Sequence, residues 1–172
     1  MGTAEVDLSA TGERRAGRVS RALMLAPPVF VIHFLEESPG FVEWFNAHVA
    51  RGITPSLFWT VNITALVITL AVAAFEWLSR SGLSLTAALV WLGFLMLANA
   101  VFHVAGSLVD GRYVPGLATA VLLYLPYYFW LSVMAVKSGR VRVAALAACA
   151  LLGALPMLAH GYLILFRGSR LF

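Results

Sequence analysis

The sequence predicts an all-α integral membrane protein, a bundle of about five transmembrane helices with a short interfacial helix after the first. Three observations carry that reading. Of 172 residues, 61% are hydrophobic and only 12% charged, whereas a soluble domain of this size carries about 25% charged residues. Such a chain cannot clothe itself in a water-facing surface, and the mean hydropathy of +0.88 says the same. The apolar residues are also gathered into long runs rather than scattered, and no short alternating segments of a membrane barrel are present.

The runs fall at residues 20–37, 56–78, 83–108, 117–136 and 143–166, each bounded by charge, Gly or Pro. Each is close to or above the ~17–25 residues that cross about 30 Å of hydrocarbon. Residues 1–18 are of a different kind, rich in Glu, Arg, Gly and Thr with nothing to bury, and are expected to form a disordered polar tail. Residues 19–172 then form a single transmembrane domain. The first run follows four arginines, as a signal sequence would. It lacks a small-x-small cleavage site and holds His33, Glu36 and Glu37, so it is read as a retained helix. Between the first two runs, Phe41, Trp44, Phe45 and Val49 recur along one side of residues 40–52, the pattern of an amphipathic helix lying at the interface. The lone Cys149 lies in an apolar run and says nothing about compartment.

Orientation follows from the basic residues. With five spans, Arg14, Arg15, Arg18, Arg21, Arg80, Lys137, Arg140 and Arg142 share one side, and Arg51, Arg112, Arg167 and Arg170 the other. The excess predicts a cytoplasmic N-terminus and an external C-terminus. The net charge of +4 is thereby a topology signal and requires no nucleic acid. Trp44, Trp59, Trp77, Tyr113 and Tyr162 near span ends fit interfacial belts, while Trp91 and Trp130 fall inside spans.

This topology assigns depths to the polar residues. His33, Glu36 and Glu37 lie near the outer end of span 1, Asn62 near that of span 2, Asn99 and His103 near that of span 3, and His160 near that of span 5. Seven polar side chains from four helices thus share one layer. His33 with Glu36 and Glu37 are at i, i+3 and i+4, and Asn99 with His103 at i and i+4, so each set lies on one helix face. Burying these stripes against one another is the cheapest arrangement in lipid. Pro27 and Pro28 precede His33, and Pro156 precedes His160. Kinks there would splay the outer helix halves and open a cavity, although proline is also simply common in transmembrane helices. Glu76, beside Trp77 and Arg80 at the inner end of span 2, is read as interfacial, and Gly93, Gly106 and Gly153 as helix contacts.

The cluster permits three chemical readings. In the first, His33, Glu37 or Glu36, and His103, with His160 as a further ligand, bind a divalent metal (Zn, Fe or Mn) as inward His and Glu side chains do in helical bundles. In the second, Glu36 and Glu37 share a proton, one serving as acid and the other, or His33, as base, with Asn62 and Asn99 as supporting polar groups. In the third, the residues mark a solvated helix end. No phosphate loop, CxxC pair or nucleotide fingerprint accompanies them.

The His33-Phe34-Leu35-Glu36-Glu37 motif, with Asn99-Ala100-Val101-Phe102-His103 and Tyr113-Val114-Pro115-Gly116-Leu117-Ala118-Thr119, resembles the HXXEE family of small multi-pass membrane proteins over about residues 25–165. The resemblance implies a shared site at His33, Glu36, Glu37 and His103 with an enzymatic or metal role, and supplies no reaction. The expected function is an intramembrane enzyme acting on a lipid or isoprenoid-like substrate, with catalytic His33, Glu36 and Glu37. A transporter or ion-binding protein using the same cluster, or a non-catalytic membrane subunit, are the alternatives. The expected partners are membrane lipid and a hydrophobic small molecule; oligomeric state is left open.

Overall fold

The structure, a computed structural model, describes residues 14–167. Among these residues the chain is helical, without strands. Five helices are long and apolar enough to cross a membrane: α1 (Arg14–Glu37), α3 (Pro55–Ser79), α4 (Gly82–Asp110), α5 (Leu117–Lys137) and α6 (Val143–Arg167). A short helix, α2 (Phe41–His48), follows the first, where the amphipathic pattern predicts it. Residues 14–18, expected in the polar tail, are helical and belong to α1. Residues 1–13 of that expected tail lie outside the described residues.

Local chemistry sets the boundaries. Helix α3 opens on Thr54, whose side chain accepts from Leu57 N at 3.1 Å, with Pro55 in the first turn, where its missing N–H costs nothing. It closes on Arg80 at φ 48°. Immediately afterwards Ser81 and Ser84 cap the start of α4 reciprocally. Within α1 the chain makes a turn at Met24–Leu25, ahead of Pro27 and Pro28. The Tyr127 hydroxyl of α5 donates to the Ala22 carbonyl there at 3.0 Å. The same hydroxyl lies 3.5 Å from the Leu23 carbonyl, which Pro27 leaves without its helical donor, so a neighbouring helix supplies a polar partner where proline removes one.

Helices α1 and α4 are the most buried and α6 the least. Helix α4 forms the centre, with α3, α5 and α6 against it, while α1 packs on α3 and α5. The core comprises Leu23, Phe30 and Phe34 of α1, Leu85, Leu89, Leu92 and Met96 of α4, and Tyr124 and Leu131 of α5. At the α4–α6 crossing Gly93 and Gly153 meet so closely that a Cβ on Gly153 would stand 2.5 Å from the Val90 carbonyl oxygen. Large apolar side chains such as Val67, Leu78, Leu122 and Leu151 face outward, as lipid-facing positions do.

Two π-helical turns interrupt the spans, Gly93–Ala98 in α4 and Ala120–Tyr124 in α5. Such a turn inserts a residue and rotates the later part of the helix relative to the earlier part. The first holds the core residues Leu95 and Met96 and ends just before Asn99 and His103; the second holds the core residue Tyr124 and lies between Thr119 and the core-facing Tyr127 and Tyr128. Both turns therefore aim polar side chains at one end of the bundle, the motif end.

Candidate metal centre and its cavity

At the motif end three side chains meet. Glu37 of α1 lies with Oε1 at 3.4 Å from His33 Nε2 and 2.9 Å from His103 Nε2 of α4. All three residues are buried. Their candidate ligand atoms fall within 4.8 Å of one another. The i, i+4 spacing brings His33 and Glu37 onto one face, and the π turn of α4 sets His103 opposite. The Glu37 oxygen is thus near both Nε2 atoms. Neither nitrogen has an aligned hydrogen-bond partner among the described residues, and His103 Nδ1 has none either.

The surroundings hold these rings in place. The Tyr124 ring lies over His33 with centroids 4.1 Å apart, and the His33 and His103 rings meet edge to face at 5.1 Å. Phe41 and Phe102 pack on His103. The turn before α5 closes the cluster from above. Gly116 sits at φ +95°, and a Cβ there would stand 2.7 Å from His103 Cε1 and 2.8 Å from Glu37 Cγ. Conformation and space both require glycine at this position.

Glu36, expected to pair with Glu37, turns instead to α5. It accepts from Ala118 N at 3.1 Å, Thr119 N at 2.8 Å, the Thr119 hydroxyl and the Tyr113 hydroxyl. Helix α5 has no side-chain cap of its own after Gly116, and Glu36 supplies one from α1, its charge placed where the helix dipole favours it. Tyr113, in the turn before α5, is pushed above the usual tyrosine range, first by burial and then by the Glu36 carboxylate. Thr119 Oγ1 also lies 2.8 Å from His33 Nδ1. Thr119 was not singled out as a site residue in the sequence. Its place at the end of the Tyr113–Thr119 stretch that carries the family resemblance, three residues after Gly116, is the signal there.

A cavity of about 250 Å³ leads to the cluster. His33 and Glu37 line it together with Asn62, Asn99 and His160, amid Phe30, Phe58 and Phe94. Asn62 donates to the Phe58 carbonyl at 3.0 Å, while Asn99 Oδ1 is buried without a hydrogen-bond partner among the described residues. His160 reaches the cavity from α6 and is not one of the three residues whose ligand atoms converge. Val61, exposed on the lipid-facing side of α3, also lines it, so the space reaches the flank of the bundle between α3 and α6. Phe41 and Phe45 of α2 also line it, and α2 is tied to α4 by Trp44 Nε1, which donates to Asp110 Oδ2 at 3.1 Å, and by His48, 3.5 Å from Asp110 Oδ1.

The opposite end departs from expectation. Glu76, read from the sequence as interfacial, is fully buried. Its oxygens accept from Arg140 at 2.6 and 2.7 Å, Ser20 at 2.8 Å and Ser84 at 2.6 Å. The bidentate guanidinium explains how a carboxylate is tolerated there.

A family model described as a protein of unknown function with HXXEE motif matches residues 24–131. That region holds His33, Glu36, Glu37, His103 and Thr119 and ends before α6, short of the 165 that the motif stretches suggested. No curated protein and no solved structure matches the chain.

Proposed function

Because the chain belongs to the HXXEE family, we propose that the motif builds a divalent-metal centre of an intramembrane enzyme acting on a lipid or isoprenoid-like substrate. The observation that carries this reading is the convergence of His33 Nε2, His103 Nε2 and a Glu37 oxygen within 4.8 Å. Two imidazoles and a carboxylate are the donor set of several catalytic Zn and non-haem Fe sites, with further positions left for water or substrate. A bound metal would act as a Lewis acid on a substrate oxygen or on a water molecule.

The cavity supports the substrate class. Its walls are mostly aromatic and aliphatic, its polar groups are few (His33, Glu37, Asn62, Asn99 and His160), and its side reaches the lipid-facing flank. An apolar chain would fill the walls and present a polar group to the metal. A conduit is less well supported. Between the motif end and the Glu76 cluster the bundle is filled by Leu23, Leu89, Leu92 and Leu131, and the Glu76 carboxylate is taken up by its partners. On the distribution of Lys and Arg we place the N-terminus in the cytoplasm and the motif end toward the exterior.

Metal analysis of the purified full chain is the test. One equivalent of Zn, Fe or Mn is expected in the wild type and none in Glu37→Ala or His103→Ala. Absence from the wild type, or full retention by both variants, overturns the metal centre. A comparison of extracted lipids from cells with and without the protein tests the substrate class, and unchanged lipid pools would count against it.

A further inference from the structure

We infer that Glu36, the first carboxylate of the motif, is a positioning residue that acts through Thr119 to hold His33 with its proton on Nδ1 and its Nε2 free to bind metal. This rests on the metal centre proposed above and assigns the adjacent glutamates separate tasks.

The Thr119 hydroxyl has one hydrogen and three neighbours: Glu36 Oε2, the Gly116 carbonyl at 3.3 Å and His33 Nδ1 at 2.8 Å. A carbonyl only accepts. Glu36 also only accepts, since two backbone N–H groups and the Tyr113 hydroxyl already donate to it. The single hydrogen of Thr119 therefore goes to one of these oxygens, and toward His33 the threonine oxygen accepts. His33 Nδ1 must donate. Were the proton on Nε2 instead, the Thr119 hydrogen would have to turn to His33, leaving its oxygen against two other acceptors.

With Nδ1 protonated, a neutral His33 presents a lone pair at Nε2, 3.4 Å from Glu37 Oε1. Two electron-rich atoms buried at that separation call for a cation between them. The Tyr124 ring lies over the imidazole and leaves it little freedom to turn over. A histidine ligand whose far nitrogen donates to an oxygen, itself held by a carboxylate, is a recurrent support for metal sites. Here the oxygen is a threonine hydroxyl, and the same carboxylate caps α5. The start of that helix and the orientation of the ligand are consequently set by one residue.

The experiment is Zn²⁺ titration of the metal-stripped full chain in detergent against a chromophoric chelator, with melting recorded for each variant. Thr119→Val removes the acceptor for His33 Nδ1, and Zn²⁺ affinity is expected to fall about 10–100-fold. Thr119→Ser keeps the hydroxyl and should restore wild-type affinity. Glu36→Gln should weaken affinity in the same direction, because the amide no longer presents two acceptors to the donors around it. Wild-type affinity in Thr119→Val overturns the positioning role and leaves the metal centre standing. Failure of Thr119→Ser to restore binding likewise overturns it, since packing would then be the cause. If Thr119→Val does not fold, the Ser and Gln variants decide the matter. A wild type that takes up no Zn²⁺ overturns both this inference and the metal reading.

Discussion

The bundle buries two carboxylates near its two ends and treats them in opposite ways. Glu76 receives two bonds from Arg140 and one each from Ser20 and Ser84. Those partners come from α1, α4 and the α5–α6 loop, so the carboxylate fastens the helices together. Glu37 is equally hidden, yet it touches two imidazole nitrogens without an aligned bond to either. A satisfied buried charge is an architectural tie; an incompletely satisfied one, at the end of a cavity, marks where something else is expected to arrive.

Substitutions can break that contrast in either direction. The largest effect on stability is expected from Arg140→Ala, which strands Glu76 and should cost about 3–5 kcal/mol. Melting in detergent should fall accordingly while metal content in the folded fraction stays at the wild-type level. Glu37→Gln should do the reverse, abolishing metal binding while the metal-free protein loses no more than about 1 kcal/mol, which melting of stripped samples would read. Were both substitutions equally destabilising and both metal-neutral, the two ends would be doing the same job. Gly116→Ala falls between. Its methyl group would press on His103 and Glu37 at a left-handed backbone position, costing about 1–3 kcal/mol and lowering metal occupancy in the same sample. Tyr113→Phe should have the smallest effect. Because burial and Glu36 raise the Tyr113 hydroxyl, its contribution is complete below pH ~10 and fades as pH rises further. The variant should lack that alkaline step in a melting series against pH.

Much of the fold was legible in the sequence because lipid makes simple demands. The run at 56–78 became Pro55–Ser79 and that at 83–108 became Gly82–Asp110, since hydropathy changes sharply at Thr54-Pro55 and Arg80-Ser81. The convergence of His33, Glu37 and His103 was legible from helical spacing and depth together. What hydropathy cannot register is rotation. The π turns re-aim half of α4 and of α5 without changing the composition of either span, so Thr119 stayed unseen. For the same reason, two consecutive glutamates at i+3 and i+4 looked like one pair. Glu76 was misjudged because its partner Arg140 is 64 residues away and reads as an ordinary flanking charge.

If the proposed lipid-phase substrate enters where the cavity reaches the flank beside Val61, concentration takes a different meaning for this protein. An occupant arriving by that route diffuses in two dimensions among lipids. Its relevant abundance is a mole fraction of the bilayer, and diluting the vesicles with buffer would leave occupancy unchanged. Adding inert lipid would empty the chamber instead. Detergent enters the same account as a competitor, because its alkyl tails suit the walls formed by Phe30, Phe58 and Phe94. On the proposed reading, the length of the tail chosen for extraction would itself be a variable in binding measurements on this site.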